Sequence, residues 1–107
     1  MSNKNLYNVI SLSKKAGKVV LGEYKVEKYL KKNMVILAII AEDSSDNTKK
    51  KFINMCKFYN TEYIVYGTKN KLGEYTSRKF TAIVGFTDFN FSKLFKSRYE
   101  GEYNGRY

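Results

Sequence analysis

The sequence predicts an α/β protein, a three-layer α/β/α sandwich built around a small mixed central sheet. The chain has 107 residues, which is enough for one hydrophobic core and too few for two full domains. Helical and strand-type apolar patterns alternate along it, and such alternation is typical of a mainly parallel or mixed sheet with helices on both faces. An uninterrupted apolar run over residues 34–40 predicts a central strand that is buried on both faces and is therefore covered by helices on each side.

The first third of the chain contains two helix patterns and one short strand. Apolar residues at helical spacing predict a first helix over residues 3–16, which ends before Gly17. The predicted inner face of this helix consists of Leu6, Val9, Ile10 and Leu12. A short strand is predicted over residues 18–21 and a second helix over residues 23–32. The inner face of the second helix consists of Val26, Tyr29 and Leu30.

The rest of the chain continues the alternation after the central strand. The predicted elements are a helix over 47–58, a strand over 62–66, a short helix over 69–75 and a strand over 81–86. A last helix follows, capped by Thr87 or Asp88. The predicted inward residues are Phe52, Met55, Cys56 and Tyr59 in the third helix, Leu72 in the fourth, and Phe91, Leu94 and Phe95 in the last. Residues 99–107 lack periodicity and are predicted to form a flexible tail, so the single domain covers residues 1–98.

The charge balance is strongly basic. Twenty Lys and Arg residues stand against ten Asp and Glu residues, which gives a formal net charge of +10 and an isoelectric point of about 9.6. An excess of this size causes self-repulsion in the folded chain and is usually retained for a polyanionic partner. We therefore expect a nucleic acid as the first candidate partner.

The composition excludes several classes of site. The chain has no histidine and a single cysteine, Cys56, which excludes a structural disulfide, a Cys/His zinc site and any mechanism that needs an imidazole. No catalytic residue, metal or cofactor is predicted, and Cys56 is assigned to packing. The longest apolar run, residues 34–41, is far shorter than the about 20 residues that cross a bilayer, and the N-terminus lacks a signal-peptide pattern. We expect a cytoplasmic protein with no membrane contact.

Two local motifs invite a chemical interpretation that their context does not support. Gly17 and Gly22 have the spacing of a phosphate-binding P-loop, but the Lys and Ser or Thr that must follow are replaced by Glu23 and Tyr24. The adjacent carboxylates at positions 42 and 43 precede a predicted helix, and partnership with the helix dipole is favoured over acid-base catalysis.

The positions of the lysines are more informative than their number. Residues 1–32 contain eight lysines against two acidic residues. In an open sheet, the loops at the carboxyl ends of parallel strands form the ligand edge, which here brings together the start of the second helix, the turn after the central strand and the loop 66–73. These segments supply Lys18, Lys25, Lys28, Lys69 and Lys71, and a helix start at Gly22 whose free N–H groups suit a phosphate. We expect an RNA-binding rim there. The alternative is a merely solvated lysine surface, which describes residues 49–51 better.

Three stretches together resemble the L7Ae/L30e ribosomal protein superfamily in kind and spacing, over nearly the whole chain. They are residues 19–28 (VVLGEYKVEK), 39–44 (IIAEDS) and 66–73 (YGTKNKLG). Residues 15–20 and 41–48 look most like the small bacterial YlxQ branch of that superfamily. The resemblance implies an α/β/α sandwich that binds kink-turn or related structured RNA and has no catalytic activity.

The resemblance also implies site residues. The family segment Gly-x-Asn-Glu-x-x-Lys opens the second helix and reads tandem sheared G·A pairs, and here Gly22 and Lys28 match its first and last positions. Tyr24 and Lys25 stand at the Asn-Glu positions, which removes the acceptor for a guanine amino group. Lys25 can still donate to a guanine edge or a phosphate, and Tyr24 can stack on a base.

A second family loop covers an extruded nucleotide. Its pattern Ser-Lys-x-x-Leu-Gly is matched by Thr68, Lys69, Leu72 and Gly73. Glu42 matches the acidic residue at the strand-end turn, where the resemblance implies a loop organiser and a hydrogen-bond acceptor toward RNA.

These observations lead to one favoured function and two alternatives. The favoured one is a monomeric, non-catalytic protein that binds structured RNA and is associated with the ribosome or with translation factors. The first alternative is a protein-interaction adaptor of the transcription and translation machinery that binds RNA only non-specifically. The second, the substrate-binding half of an RNA-modifying enzyme, is disfavoured because the chain has no cofactor loop and no second domain.

Overall fold

The computed structural model describes residues 4–103, with the side chains of residues 6–101. Within this range the chain forms five helices and four strands in the predicted order. They are α1 (Lys4–Lys15), β1 (Val19–Leu21), α2 (Glu23–Lys31), β2 (Leu37–Ile40), α3 (Asp46–Phe58), β3 (Glu62–Val65), α4 (Lys69–Glu74), β4 (Ile83–Phe86) and α5 (Phe89–Tyr103). None of the described helices is long and apolar enough to cross a membrane.

The four strands form one mixed sheet in the order β1-β4-β2-β3. β2 and β3 are parallel, whereas β4 is antiparallel to both of its neighbours, β1 and β2. The register pairs Ile40 with Val65 and with Ile83, and Leu21 with Val84. The strands β1, β2 and β3 therefore end, and β4 begins, at one edge of the sheet, which we call the carboxyl edge. The opposite edge is called the amino edge.

Helices cover both faces of the sheet, which confirms the three-layer sandwich. Because side chains alternate along a strand, β2 sends Leu37 and Ile39 to one face and Ala38 and Ile40 to the other. The first face packs against α1, α4 and α5, and the second against α2 and α3. All four side chains are buried, and burial of each larger one stabilises the fold by about 1.5–3 kcal/mol.

The central strand is shorter than predicted. β2 begins at Leu37, and the exposed fractions of Met34 and Ile36 are 47% and 39%. The Met34 N–H donates to the Tyr29 carbonyl at the end of α2, so this residue belongs to the helix exit rather than to the strand. Only Val35 between them is buried, which shows that the apolar run continues past the end of the core.

Two predicted core leucines lie at the surface. Leu12 in α1 and Leu94 in α5 are 55% and 37% exposed, so their assignment to the inner faces is wrong. The buried positions of these two helices include Ser13 in α1 and Ser92 in α5 instead. Each serine hydroxyl donates to the carbonyl four residues earlier in its own helix, so a small polar side chain is buried without an unsatisfied donor.

The last helix starts as predicted and ends later. Its first turn is capped by Asp88, whose Oδ2 accepts a hydrogen bond from the Phe91 N–H at 2.9 Å. The helix continues to Tyr103, so the prediction that the tail begins at residue 99 is wrong for residues 99–103. Tyr99 packs its ring edge-on to Tyr66, with centroids 6.0 Å apart, which extends the core contact of the helix. The rest of the predicted tail, residues 104–107, lies outside the described residues.

Candidate nucleic-acid interface

Four chain segments meet at the carboxyl edge, one more than the sequence predicted. The start of α2, the turn after β2 and the loop after β3 lie there as expected. The fourth is the segment 75–82, which enters the sheet at this edge because β4 runs antiparallel. Backbone bonds join the segments: Ala41 N–H to the Ala82 carbonyl (2.8 Å), Glu42 N–H to Gly67 (2.7 Å), Gly22 N–H to Ile83 (3.1 Å) and Thr81 N–H to Lys69 (3.0 Å). The four segments are thus held together by backbone hydrogen bonds and form one continuous surface.

The first turn of α2 has no side-chain cap. Its N-cap residue, Gly22, has a φ of +88°, a conformation that side-chain-bearing residues rarely adopt, and it offers no side-chain acceptor to the first N–H groups of the helix. The two terminal guanidinium nitrogens of Arg78 lie 3.7 and 3.8 Å from the position that a Cβ on Gly22 would take. A helix N-terminus and a guanidinium therefore point to the same location, which suits an anion such as a phosphate.

The first turn of α4, in contrast, is already satisfied by protein groups. Thr68 is the N-cap, and its Oγ1 accepts a hydrogen bond from the Lys71 N–H at 3.1 Å. Asp43 Oδ1 accepts from the Lys69 N–H at 2.8 Å, and the Tyr7 hydroxyl is hydrogen-bonded to the backbone of Thr68. Burial raises the pKa of Tyr7, so the phenol stays protonated near neutral pH. This helix start is held in place by the protein and offers no free anion site.

A cavity of about 330 Å³ lies between these segments, near the lower limit of volumes usual for ligand sites. Its lining includes two basic residues, Lys69 and Arg78, and one acidic residue, Glu23. Phe80 forms part of the wall and is 61% exposed, a large fraction for an aromatic side chain. Small polar groups complete the lining: Gly22, Ser44, Ser45, Thr48 and Thr81, with Ala82. Cationic groups and an exposed ring in the lining of one cavity are able to hold both a phosphate and an unpaired base.

Two predicted contact residues support the edge from below. Leu72 and Gly73, which were predicted to lie in a ligand-contacting loop, are buried in α4 beneath the cavity segments. A Cβ on Gly73 would lie 2.5 Å from the Phe80 Cα. Glycine at this position therefore lets the segment 75–82 pass directly against α4, which brings Phe80 to the cavity wall.

The residues of α2 that were predicted to contact RNA are exposed on the outer surface of the helix. Tyr24 is 79% exposed, the largest exposed fraction among the large apolar and aromatic side chains named in the described part of the chain. Tyr24 and Lys28 line a shallow concavity on the outer face of the helix, together with Glu27, Lys31 and Lys32. Lys25 is exposed within the first turn of the helix. The basic surface thus extends from the carboxyl edge along α2.

The role of loop organiser belongs to Asp43 rather than to Glu42. The Glu42 side chain is exposed, and its residue joins the network through its backbone N–H, which donates to the Gly67 carbonyl. Asp43 does support a helix start, but the helix is α4, which its carboxylate contacts at the Lys69 N–H. The helix that follows Asp43 in the sequence, α3, begins at Asp46 and is capped by Ser45. Lys71 is exposed, with its Nζ 3.9 Å from Glu74, a separation at which a surface pair contributes little.

Lys18 does not lie at the carboxyl edge. Its carbonyl accepts a hydrogen bond from the Thr87 N–H at 2.9 Å, where β1 begins and β4 ends, so the residue lies at the amino edge. Lys14 and Lys15 lie nearby at the end of α1. The lysines of the first third of the chain are therefore divided between both edges, and the placement of Lys18 in the predicted rim with Lys25 and Lys28 is wrong.

Arg78 and Phe80 are the site residues that the sequence did not identify. They precede β4, and their position depends on the antiparallel direction of that strand, which a local pattern does not encode. One signal was available: Arg78 is the first arginine in a chain whose earlier basic residues are all lysines. Arginine is the residue suited to bidentate phosphate recognition. Among the described residues, no group of three His, Cys, Asp or Glu side chains could hold a metal ion.

Comparison with known proteins places this geometry in context. Residues 4–96 match the model of the ribosomal protein L7Ae/L30e/S12e/Gadd45 family. The RNA-binding protein YlxQ of Bacillus subtilis (strain 168) is 30% identical over 92 residues, which cover 86% of this chain and 92% of that protein.

Two similar solved structures share the arrangement of elements. One, described as a protein with unknown function from Bacillus halodurans C, has a TM-score of 0.82 and 26% identity, covering 86% of this chain and 93% of its own. The other, the Giardia lamblia 15.5kD RNA binding protein, has a TM-score of 0.74 and 18% identity, covering 91% and 87% respectively, and bears on the fold alone.

Proposed function

Because the chain belongs to the ribosomal protein L7Ae/L30e/S12e/Gadd45 family, we propose that it is an RNA-binding protein that recognises structured RNA at its carboxyl edge and catalyses no reaction. The observation that carries the proposal is the difference between the two helix starts at this edge. The N-terminus of α2 is uncapped and lies beside Arg78, whereas that of α4 is occupied by Asp43 and Thr68. A phosphate therefore has one prepared position, and α4 serves to hold Lys69 beside it.

The mixed charge of the edge favours a folded RNA over any polyanion. Glu23, Glu42 and Asp43 lie among the basic side chains, so a uniformly charged backbone laid across this surface would meet carboxylates. An RNA whose backbone approaches at a few points and whose bases turn toward the protein avoids that repulsion. The exposed carboxylate of Glu42 is then an acceptor for a base amino group.

Recognition of a kinked RNA is the specific form of the proposal. Tandem sheared pairs and an extruded nucleotide expose bases that a regular A-form duplex hides in its deep, narrow major groove. Tyr24 offers an exposed ring at the start of α2, and Phe80 offers another at the cavity wall. Stacking on such rings contributes about 1–3 kcal/mol per base and tolerates any base. With Tyr24 and Lys25 at the Asn-Glu positions, selectivity then depends more on RNA shape than on base identity.

The proposal includes a cellular setting. We place the protein in the cytoplasm, as a monomer bound to ribosomal or regulatory RNA and associated with the ribosome or translation factors. The family membership supports this setting, since the family is one of ribosomal proteins by its description.

The adaptor function is the second candidate, and one specific observation favours it. Lysines lie at both edges of the sheet, so the +10 charge is not reserved for the proposed RNA site. An adaptor would bind RNA weakly and without regard to shape, and the binding would vanish by physiological salt.

A gel-shift comparison tests the proposed function. A hairpin with a kink-turn and a duplex of equal length are titrated with the wild-type protein at physiological salt, and the kinked RNA is expected to bind at least about tenfold more tightly, because only it supplies stacking and cavity contacts. Lys28→Ala should weaken binding of both RNAs, whereas Tyr24→Ala should reduce the preference for the kink.

Lys14→Ala serves as the matched control, because it removes the same charge at the amino edge. Equal affinity of the wild type for the kinked RNA and the duplex would contradict structured-RNA recognition and support the adaptor function.

A further inference from the structure

The amino edge of the sheet carries a second concentration of positive charge. Three helices, α1, α2 and α3, end there, and α5 begins there. The lysines in the segments that meet at this edge are Lys14, Lys15, Lys18, Lys31, Lys32, Lys57, Lys93 and Lys96. The acidic residues in the same segments are Glu62, Asp88 and Glu27. The Asp88 carboxylate is engaged in capping α5, and Glu27 forms an ion pair with Lys31 at 3.1 Å. The amino edge, which is farthest from the proposed RNA site, thus has a large excess of basic over acidic residues.

Favourable interaction with helix dipoles explains the position of some of these lysines but not of all of them. Lysines in the last turns of α1, α2 and α3 complement the negative ends of those helices. Lys93 and Lys96 have no such role, because they lie well before the last turn of α5, where a cation would complement the dipole. Their position needs another explanation.

An apolar groove lies beside these two lysines. It has a volume of about 200 Å³ and is lined by Ile36, Leu37, Glu62, Phe89, Ser92, Lys93 and Lys96, which we call the amino-edge groove. Phe89 is 65% exposed and Ile36 is 39% exposed, on a molecule whose other large side chains mostly fill two buried clusters. Exposed apolar side chains gathered in one concave place and bordered by polar ones mark an interaction surface.

One carboxylate already occupies a position in this groove. Glu62 Oε2 is hydrogen-bonded to Lys96 Nζ, and this ion pair raises the pKa of the lysine. Lys93, three residues earlier on α5, has no carboxylate partner among the described residues. The groove therefore combines a largely apolar lining with two lysines. Lys96 is paired with a carboxylate and shows how a carboxylate is bound there, whereas the charge of Lys93 is uncompensated.

We propose that the amino-edge groove docks an acidic segment of another protein, with an apolar side chain placed against Phe89 and Ile36 and a carboxylate at Lys93. A second copy of this chain is disfavoured as the occupant, because two molecules of net charge +10 repel each other. RNA is disfavoured because three helix C-termini direct their carbonyl groups toward this edge and the groove is largely apolar. Docking here leaves the carboxyl edge free, so both partners can be bound together.

Selection from a library of short random peptides displayed on phage tests the proposal with the full-length protein. Each round includes removal of peptides that bind the double variant Ile36→Ser/Phe89→Ser, whose net charge equals that of the wild type. This step subtracts peptides captured by charge alone. We expect the surviving peptides to combine acidic residues with a large apolar one.

The affinity of a synthetic copy of an enriched peptide is then measured by fluorescence anisotropy at physiological salt. We expect a loss of at least about tenfold with Phe89→Ser, since anchors of this kind dominate small interfaces. Lys93→Glu should weaken the peptide by a similar factor, and Lys69→Ala at the carboxyl edge should leave its affinity unchanged. Thermal unfolding of each variant checks the fold, and Lys93→Glu provides the test should the double serine variant not fold.

Several results would overturn the proposal. They are the absence of any peptide that survives subtraction, enrichment of peptides without acidic residues, and competition between the peptide and a kinked RNA hairpin. Dimerisation of the wild type that Phe89→Ser abolishes would assign the groove to a second copy instead. None of these measurements depends on RNA recognition except the competition, so failure here and failure of the proposed function are distinguishable.

Discussion

The Asp43 carboxylate accepts a hydrogen bond from the Lys69 backbone N–H at 2.8 Å, across 26 positions of the sequence. This bond fastens the turn after β2 to the first residue of α4, and Thr81 fastens the same residue from the other side by donating its N–H to the Lys69 carbonyl. Lys69 is thereby fixed in its backbone before any ligand arrives, which reduces the ordering cost of binding.

Removal of this acceptor should weaken both the fold and RNA binding. We expect Asp43→Ala to lower the free energy of unfolding by about 1 kcal/mol, as for the loss of a helix cap, and to reduce affinity for a kinked RNA about fivefold. Asp43→Asn keeps an acceptor oxygen and should restore most of both. Urea unfolding and gel shifts measure the two effects, and an alanine variant with wild-type values in both would show that the bond is dispensable.

Gly73 should tolerate alanine poorly even though it lies in a helix. Helix propensity alone favours alanine by about 1 kcal/mol, but the new Cβ would lie 2.5 Å from the Phe80 Cα and 2.6 Å from its nitrogen. We expect Gly73→Ala to destabilise the protein by about 1–3 kcal/mol, because backbone cannot move aside as a flexible side chain does. Glu74→Ala, at the neighbouring exposed position, is the control and should be close to neutral. An increase in stability with Gly73→Ala would contradict the close packing of the segment 75–82.

The salt dependence of RNA binding should separate the two edges. With about four phosphates contacted, log K is expected to fall with log salt at a slope of −3 to −4. Arg78→Ala should make this slope less negative by roughly 1, because one phosphate contact is lost. Lys18→Ala should leave it unchanged, since Lys18 lies at the amino edge. Equal slopes for the arginine variant and the wild type would remove Arg78 from the interface.

Cys56 should be inert in the folded protein. Its side chain is fully buried, and this burial raises the pKa of the thiol from 9.0 to about 11. Since the folded thiol keeps its proton where the unfolded one loses it, the corresponding stability is present below pH 9 and is lost between about pH 9 and pH 11. Cys56→Ala should reduce that alkaline fall, measured as the difference in urea unfolding between the variant and the wild type. Rapid alkylation of the wild type at pH 8 without unfolding would contradict the burial.

Local signals were sufficient for the order of the elements and for the cap of α5. Asp88 was one of two candidate caps at the start of α5, and its carboxylate accepts the expected first-turn hydrogen bond from the Phe91 N–H. Such caps depend on residues three positions apart, so the sequence displays them directly.

Local sequence patterns could not predict features that depend on the direction of a strand or on how a helix packs. Arg78 reaches the start of α2 only because β4 is antiparallel, which no residue near position 78 indicates. Likewise, Ser13 is buried while its neighbour Leu12 is 55% exposed, so the buried face of α1 includes the serine and not the leucine. Hydrophobic periodicity assigns the leucine inward and has no means to recognise a serine that satisfies its hydroxyl within its own helix.

The tyrosine cluster beneath the loop after β3 gives the protein an optical property. The rings of Tyr7 and Tyr75 are stacked with centroids 5.1 Å apart, and Tyr66 lies 5.4 Å from Tyr7. The chain has no tryptophan, so its ultraviolet emission comes from tyrosine alone. Part of that light originates beside the Thr68 backbone, to which the Tyr7 phenol is bonded. A ligand that displaces the loop after β3 is therefore expected to change the intrinsic fluorescence, which can be recorded without attaching a dye.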